Sequence, residues 1–252
     1  MKKYLSVFGL YARSTVFKIL LILFAMSAIE TIIFYTELQN ALQTYESIEA
    51  GLSSLEHTLD MAAINVYFRA ALLLITFVLS IPGCKFKSNT GYTLQRLSVS
   101  ERETFFIQTV YNTLVYIILI AVQLGVTFVL SQYYISTVPD GFANNQTLFL
   151  AYYRNEFLHS LLPLEDIGLW VRNALLVISF GFVTAEFPYN NRRNKFSATA
   201  IALGLYTIVY FDQGIGELFH VITTAIISLM IISEVIYTLN KKDAEVQNEQ
   251  AD

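Results

Sequence analysis

Long apolar runs constrain this chain more than any other feature of its sequence. A helix needs about 20 apolar residues to cross the hydrocarbon core of a bilayer, and six stretches approach or exceed that length. They cover residues 17–35, 62–81, 105–134, 167–187, 196–211 and 218–239. Only 14% of the 252 residues are charged, against about 25% in soluble proteins. We therefore predict an all-α integral membrane protein with one six-span transmembrane domain over residues 1–242 and a cytoplasmic tail at 243–252.

The positions of Lys and Arg predict the side of the membrane that each loop occupies. Cytoplasmic loops carry an excess of these residues, and here they fall in alternating segments, with Arg154 alone in the intervening ones. The cytoplasmic set is Lys2, Lys3, Arg13, Lys18, Lys85, Lys87, Arg96, Arg102, Arg192, Arg193, Lys195, Lys241 and Lys242. We predict a multi-pass protein of a bacterial cell membrane with both termini in the cytoplasm.

The first 14 residues have an amphipathic pattern. Tyr4, Leu5, Phe8 and Tyr11 can share one helical face, and the charged residues take the other. Such a helix lies in the plane of the membrane interface. We expect an N-terminal interfacial elbow helix, and the alternative is a frayed first turn of the first span.

The first outer loop also has helical spacing of its apolar residues, interrupted at Gly51. This predicts a helical hairpin in which the first two spans rise beyond the membrane. The loop is acidic, without Lys or Arg, so it either attracts cationic cargo or is simply a solvated helix face. Its acidic residues are Glu37, Glu46, Glu49, Glu56 and Asp60. In the second outer loop, residues 147–162 predict a short helix that ends before Pro163.

Polar side chains within the spans are the next candidates for function, because they are costly in lipid and usually face protein or water. Glu30 and Arg69 lie at similar heights in the first two spans, which predicts an intramembrane ion pair. The alternative is that each side chain reaches the outer interface separately. In the third span, Gln108, Asn112 and Gln123 predict interhelical hydrogen bonds.

The cytoplasmic segment between the second and third spans carries the clearest local signal. A short helical stretch is followed by two overlapping capping boxes, Ser98–Glu101 and Ser100–Glu103, which begin the third span inside the cytoplasm. The stretch consists of Tyr92, Thr93, Leu94, Gln95, Arg96 and Leu97. A short helix held against the inner membrane face by a sharp turn is suited to docking a cytoplasmic partner.

The string Arg96-Leu97-Ser98-Val99-Ser100-Glu101 resembles the coupling-helix segment in permease subunits of ABC exporters of the second (ABC-2 type) permease family. That family has a Leu-Pro-Val-Ser-like string before its third span, and Ser98 stands at the place of its proline. The resemblance implies a half-transporter that pairs with a second copy of itself or a related permease. A separate ABC ATPase subunit would dock at residues 92–97, and the substrate would be hydrophobic or peptide-like. The implied surroundings are membrane lipid, with no nucleic acid.

Enzyme motifs are missing from the sequence. It has no Gly-x-x-x-x-Gly-Lys run for nucleotide phosphates and no Gly-x-Ser-x-Gly elbow, and its three histidines are scattered. We therefore predict a transport subunit without catalytic, cofactor or metal-binding residues. The alternatives are a membrane-embedded immunity or anchor protein, or an intramembrane protease-like enzyme. Co-purification of an ATPase distinguishes the transporter from both.

Overall fold

The computed structural model describes residues 2–48, 52–82, 84, 100–139, 141–191, 222, 224–229 and 231–233. These residues form helices and connections, without a strand among them. The helices are α1 (Lys2–Ile48), α2 (Leu55–Met61), α3 (Ile64–Ser80), α4 (Glu101–Thr137), α5 (Asn145–Arg154), α6 (Glu156–Leu161) and α7 (Ile167–Asn191). Residues 224–229 and 231–233 are also helical.

Three helices, α1, α4 and α7, are long and apolar enough to cross a membrane, and the bent pair α2–α3 makes a fourth if it counts as one span. They contain the first four predicted spans. The predicted span at 196–211 lies outside the described residues, and the one at 218–239 is described only in part. The described residues are thus all-helical, with three or four helices long and apolar enough to cross a membrane, whereas the count of six spans stays a prediction.

Helix α1 does not contain a separate elbow. Residues 2–48 form one uninterrupted helix of 47 residues, about 70 Å long. The first turns of α1 pack against α4. Val7 and Tyr11 are fully buried. The Phe8 ring packs edge-on against Tyr111, and Thr15 Oγ1 lies 2.7 Å from Tyr111 Oη. The amphipathic N-terminus therefore packs on a neighbouring helix, where we expected it to turn into the interface.

Helix α2 begins soon after α1 ends and packs against it. Ser54 is the N-cap of α2 and accepts a hydrogen bond from His57 N at 3.3 Å. Helices α2 and α3 then meet at an angle of 47°, where Ala63 has φ 49°, in the left-handed region. Because α1 packs against both α2 and α3, the described part of this loop agrees with the predicted hairpin; Gly51 itself lies outside the described residues.

Helix α4 is the centre of the bundle and packs against α7 and α1. Its contact with α7 is close at Gly181, because a Cβ added there would collide with Thr113 Oγ1 and lie 3.1 Å from Thr109 O. On the outer side, Tyr134 Oη donates to Ser53 O at 2.6 Å. The segment predicted as one helix over residues 147–162 forms two, α5 and α6, separated at Asn155, which is the N-cap of α6; the end of α6 before Pro163 agrees with the prediction.

Candidate functional site

Polar side chains follow one face of α4 into the interior of the bundle. Each of these residues is at most 2% exposed, although the helix is long and apolar enough to span a bilayer. The row consists of Gln108, Asn112, Gln123, Thr127 and Ser131. Because buried polar groups within spans are costly unless they are bonded, their partners define the candidate site.

The outer polar cluster consists of Glu30, Gln123, Thr127 and Tyr152. Glu30 on α1 is fully buried, and its Oε2 accepts from Gln123 Nε2 at 3.0 Å. One turn further, Thr127 Oγ1 lies 3.0 Å from Tyr152 Oη, so α5 is joined to the same face of α4. Glu30 Oε1 and Gln123 Oε1 are buried and have no hydrogen-bond partner among the described residues. The cluster therefore offers acceptor oxygens to any further donor.

The structure places Glu30 with Gln123 and not with Arg69, the partner we predicted. Arg69 is half-buried on α3, and its Nε donates to Asn65 O at 3.3 Å. Equal height along two spans does not fix the direction in which their side chains point. The face of α1 that carries Glu30 is covered by α4, and a carboxylate there is bonded by an amide.

The buried polar residues Gln108 and Asn112 on α4 and Thr184, Glu186 and Asn190 on α7 are together called the inner polar cluster, in which the bond between Asn112 and Thr184 joins the two helices. Asn112 Nδ2 donates to Thr184 Oγ1 at 2.8 Å, and Asn190 Nδ2 donates to Glu186 Oε1 at 2.8 Å. Gln108 Nε2 and Asn190 Oδ1 are buried without a hydrogen-bond partner in the described part of the chain. This cluster thus presents both an unused donor and an unused acceptor.

An apolar belt separates the two clusters. Between Asn112 and Gln123, α4 buries Val115, Tyr116 and Leu119, and eleven residues of helix correspond to about 16 Å. Tyr116 Oη lies 2.9 Å from Thr76 Oγ1 on α3. Within the part of the chain that the structure describes, buried apolar side chains therefore separate the two clusters along α4.

The start of α4 carries one of the two predicted capping boxes. Ser100 Oγ accepts from Glu103 N at 3.2 Å, and Glu103 Oε2 accepts from Ser100 N at 3.1 Å, which confirms the second of the two predicted boxes. The other oxygen of Glu103 accepts from Tyr4 Oη at 2.8 Å, so the first turns of α1 and α4 are joined. The predicted docking residues, 92–97, and the first box at Ser98 lie outside the described residues.

Arg172 has a role that the sequence did not indicate. It is 6% exposed, and its Nη2 donates to Ser160 O at 3.0 Å, while Asn173 Nδ2 donates to the same oxygen at 2.8 Å. Cations and donors at a helix C-terminus satisfy carbonyls that have no partner within the helix. These two residues at the start of α7 thereby fix α6 in place.

Among the residues that the structure describes, no group of three or more His, Cys, Asp or Glu side chains could hold a metal ion. Comparison of the chain with protein-family models, with curated proteins and with solved structures finds no match. The functional interpretation is therefore based on the residues and geometry of this chain.

Proposed function

We propose that the chain is the transmembrane permease subunit of an ATP-driven ABC exporter. It pairs with a second copy of itself or a related permease, and a separate ATPase subunit docks on its cytoplasmic face at Tyr92–Leu97. ATP hydrolysis by that subunit is coupled to export of a hydrophobic or peptide-like substrate. Both termini lie in the cytoplasm of a bacterial cell, as the distribution of Lys and Arg predicts.

The observation that carries this proposal is the position of α4. The helix begins at a full capping box directly after the predicted docking segment. It then continues for 37 residues, about 55 Å, past both polar clusters. A force applied to residues 92–97 would act on the first turn of this helix, and a continuous helix transmits such a displacement along its length.

Hydrogen bonds between α4 and its neighbours α1 and α7 would make these helices follow a displacement of α4. Helix α1 is bonded near its start by Tyr4–Glu103, further along by Thr15–Tyr111, and at the outer cluster by Glu30–Gln123. Helix α7 is bonded through Asn112–Thr184. We infer that α1, α4 and α7 tilt together when the ATPase subunits close.

The missing nucleotide loop supports a division of labour between chains. Without a Gly-x-x-x-x-Gly-Lys run, this chain cannot hold nucleotide phosphates in a P-loop. Helix α1 has an exposed apolar face, on which Phe17 and Phe24 are more than three-quarters exposed. Such a face is suited to contact with membrane lipid or a second permease. The ATPase subunit would therefore supply the energy of ATP hydrolysis, and this chain would form the passage through the membrane.

Co-purification tests the proposal. The tagged chain is extracted from its native membrane in mild detergent, and co-purifying proteins are identified by mass spectrometry. We expect a protein with a Gly-x-x-x-x-Gly-Lys loop, whose ATP hydrolysis rises on reconstitution with this chain. The variant Leu94→Asp/Leu97→Asp should abolish that rise, whereas the matched Leu94→Met/Leu97→Met variant should retain it.

Three outcomes would contradict the proposal. Unchanged hydrolysis with the Asp variant would refute docking at residues 92–97. Recovery of a partner without any nucleotide-binding loop would instead favour the immunity or anchor protein, and release of peptide fragments by the purified chain would favour the protease-like enzyme.

A further inference from the structure

The outer polar cluster contains two buried acceptor oxygens without a donor. The two hydroxyl groups of the cluster have backbone acceptors. Thr127 Oγ1 donates to Gln123 O and Leu124 O, each at 3.0 Å, and Tyr152 Oη donates to Leu124 O at 3.3 Å. Once Gln123 Nε2 has donated to Glu30 Oε2, the atoms left over are Glu30 Oε1 and Gln123 Oε1. Both are acceptors, and neither has a partner among the described residues.

Glu30 also lacks a counter-charge. It is fully buried on α1, and Met26 and Phe34, about one turn to either side, are buried on the same face. Its hydrogen bond to the neutral amide of Gln123 is the only polar contact that the described part of the chain gives it. A carboxylate enclosed in this way would be a buried, unpaired charge within a span, which is costly.

Charged side chains on the helices that pack against α1 have other contacts or lie far from Glu30. These helices are α2, α3 and α4. On α2, Glu56 and Asp60 contact residues of α5 and of the α5–α6 junction, and His57 is exposed. On α3, Arg69 donates to a backbone oxygen of its own helix. The charged residues of α4 all lie in its first turn, about 30 Å along the helix from Gln123.

We propose that the outer polar cluster is a proton-binding site, in which Glu30 is a neutral carboxylic acid. Its Oε1–H donates to Gln123 Oε1 while its Oε2 accepts from Gln123 Nε2, so one proton satisfies both leftover atoms. The terminal torsions of Glu and Gln side chains are soft, so the two oxygens of a pair already joined by one bond can come together. The bound proton thereby adds a second bond between α1 and α4. The site requires only this chain and does not depend on the proposed function.

Infrared difference spectroscopy of the full-length chain tests for the proton directly. The chain is purified in dodecyl maltoside, a detergent without carbonyl groups, and its spectrum is measured at neutral pH. We expect the wild-type spectrum to contain the carbonyl band of a protonated carboxyl group, and Glu30→Gln should lose that band. This variant keeps one donor and one acceptor in place of the acid, so it should retain the helical content. Glu165→Gln, the same change at an exposed position, is the matched control and should leave the band unchanged.

A second pair of variants tests Gln123 as the partner of the acid and needs no substitution at Glu30. Gln123→Leu should move the acid band to higher frequency, because the carbonyl group of Glu30 loses the hydrogen bond that it accepts. Thr127→Val, in the same cluster, should leave the frequency unchanged.

Three results would overturn the proposal. If Glu30→Gln lost a carboxylate band in place of the acid band, Glu30 would be ionised, with its leftover oxygen bonded to a water or a cation. An acid band at the same frequency in the wild-type chain and in Gln123→Leu would exclude Gln123 as the partner. Equal shifts in Gln123→Leu and Thr127→Val would exclude a specific bond between the two side chains.

Discussion

Replacement of Gln123 by Leu tests whether the Glu30–Gln123 bond is essential to the bundle. An interhelical hydrogen bond within a membrane contributes on average about 0.6 kcal/mol, which suggests a small loss of unfolding free energy. The structure predicts a larger one. Glu30 is fully buried and one of its oxygens is already without a hydrogen bond, so the substitution would leave the whole carboxyl group unsatisfied. An unsatisfied buried polar group costs about 1–3 kcal/mol, and more when charged.

Removal of both polar groups should have the opposite result. In Glu30→Met/Gln123→Leu, apolar side chains of similar length fill the same space, and neither partner is left unpaired. Such paired replacements are often close to neutral or stabilising. We therefore expect the double variant to be at least as stable as Gln123→Leu, despite carrying one more substitution.

The measurement is thermal unfolding of the purified chain in one detergent, read by the fluorescence of its single Trp. For a chain of this size a loss of 1 kcal/mol lowers the Tm by about 2–4 °C, so Gln123→Leu should lower it by about 2–12 °C. Gln39→Leu, on the half-exposed outer part of the same α1 helix, is the control for a Gln-to-Leu change. A fall of less than 1 °C, or a double variant less stable than the single, would refute the reasoning.

Three further predictions follow from helix contacts. Gly181→Ala should lower the unfolding free energy by about 1–3 kcal/mol through overpacking, and Thr113→Ala in the same chain should recover part of the loss; simple addition of the two costs would contradict the contact. Asn173→Ala should remove two donated hydrogen bonds to the end of α6 and cost about 1–2 kcal/mol, with faster hydrogen exchange confined to α6; unchanged exchange there would argue against this role. Ser100→Ala should cost about 0.5–2 kcal/mol through loss of the N-cap, while Ser136→Ala near the other end of α4 should cost less, and equal Tm shifts would count against the cap.

Sequence reasoning succeeded where the signal is local or periodic. The apolar runs identified the long helices that the structure describes, and the second of the two predicted capping boxes, Ser100–Glu103, lies at the start of α4. The expectation of interhelical hydrogen bonds is confirmed for Asn112 and Gln123, whereas Gln108 Nε2 is buried without a hydrogen-bond partner among the described residues. The helices and the capping box depend on residues close together in the chain, whereas the two interhelical bonds could be expected only in kind, without their partners.

The partners of the polar groups could not be predicted in the same way. Periodicity indicates which face of a helix is buried, but not which helix covers that face. Glu30 accepts from the third span because α4 packs against α1 at that height, and no feature of the sequence near Arg69 excludes the competing pair. The bend at Ala63 was also missed, since neither glycine nor proline marks it.

The arrangement of the two polar clusters bears on how such a chain could move its cargo. Among the described helices, a path along α4 would have to cross the apolar belt at Val115, Tyr116 and Leu119, all at most 5% exposed, and would break the bond from Tyr116 to Thr76. Opening that belt would expose these buried side chains without a new contact that offsets the cost. Tilting α1, α4 and α7 as one unit would keep the belt and both clusters intact and would change only the outer surfaces of the three helices. We therefore propose that the exporter's passage lies between two permease subunits, and that the clusters act as joints which make the described helices of each subunit move together.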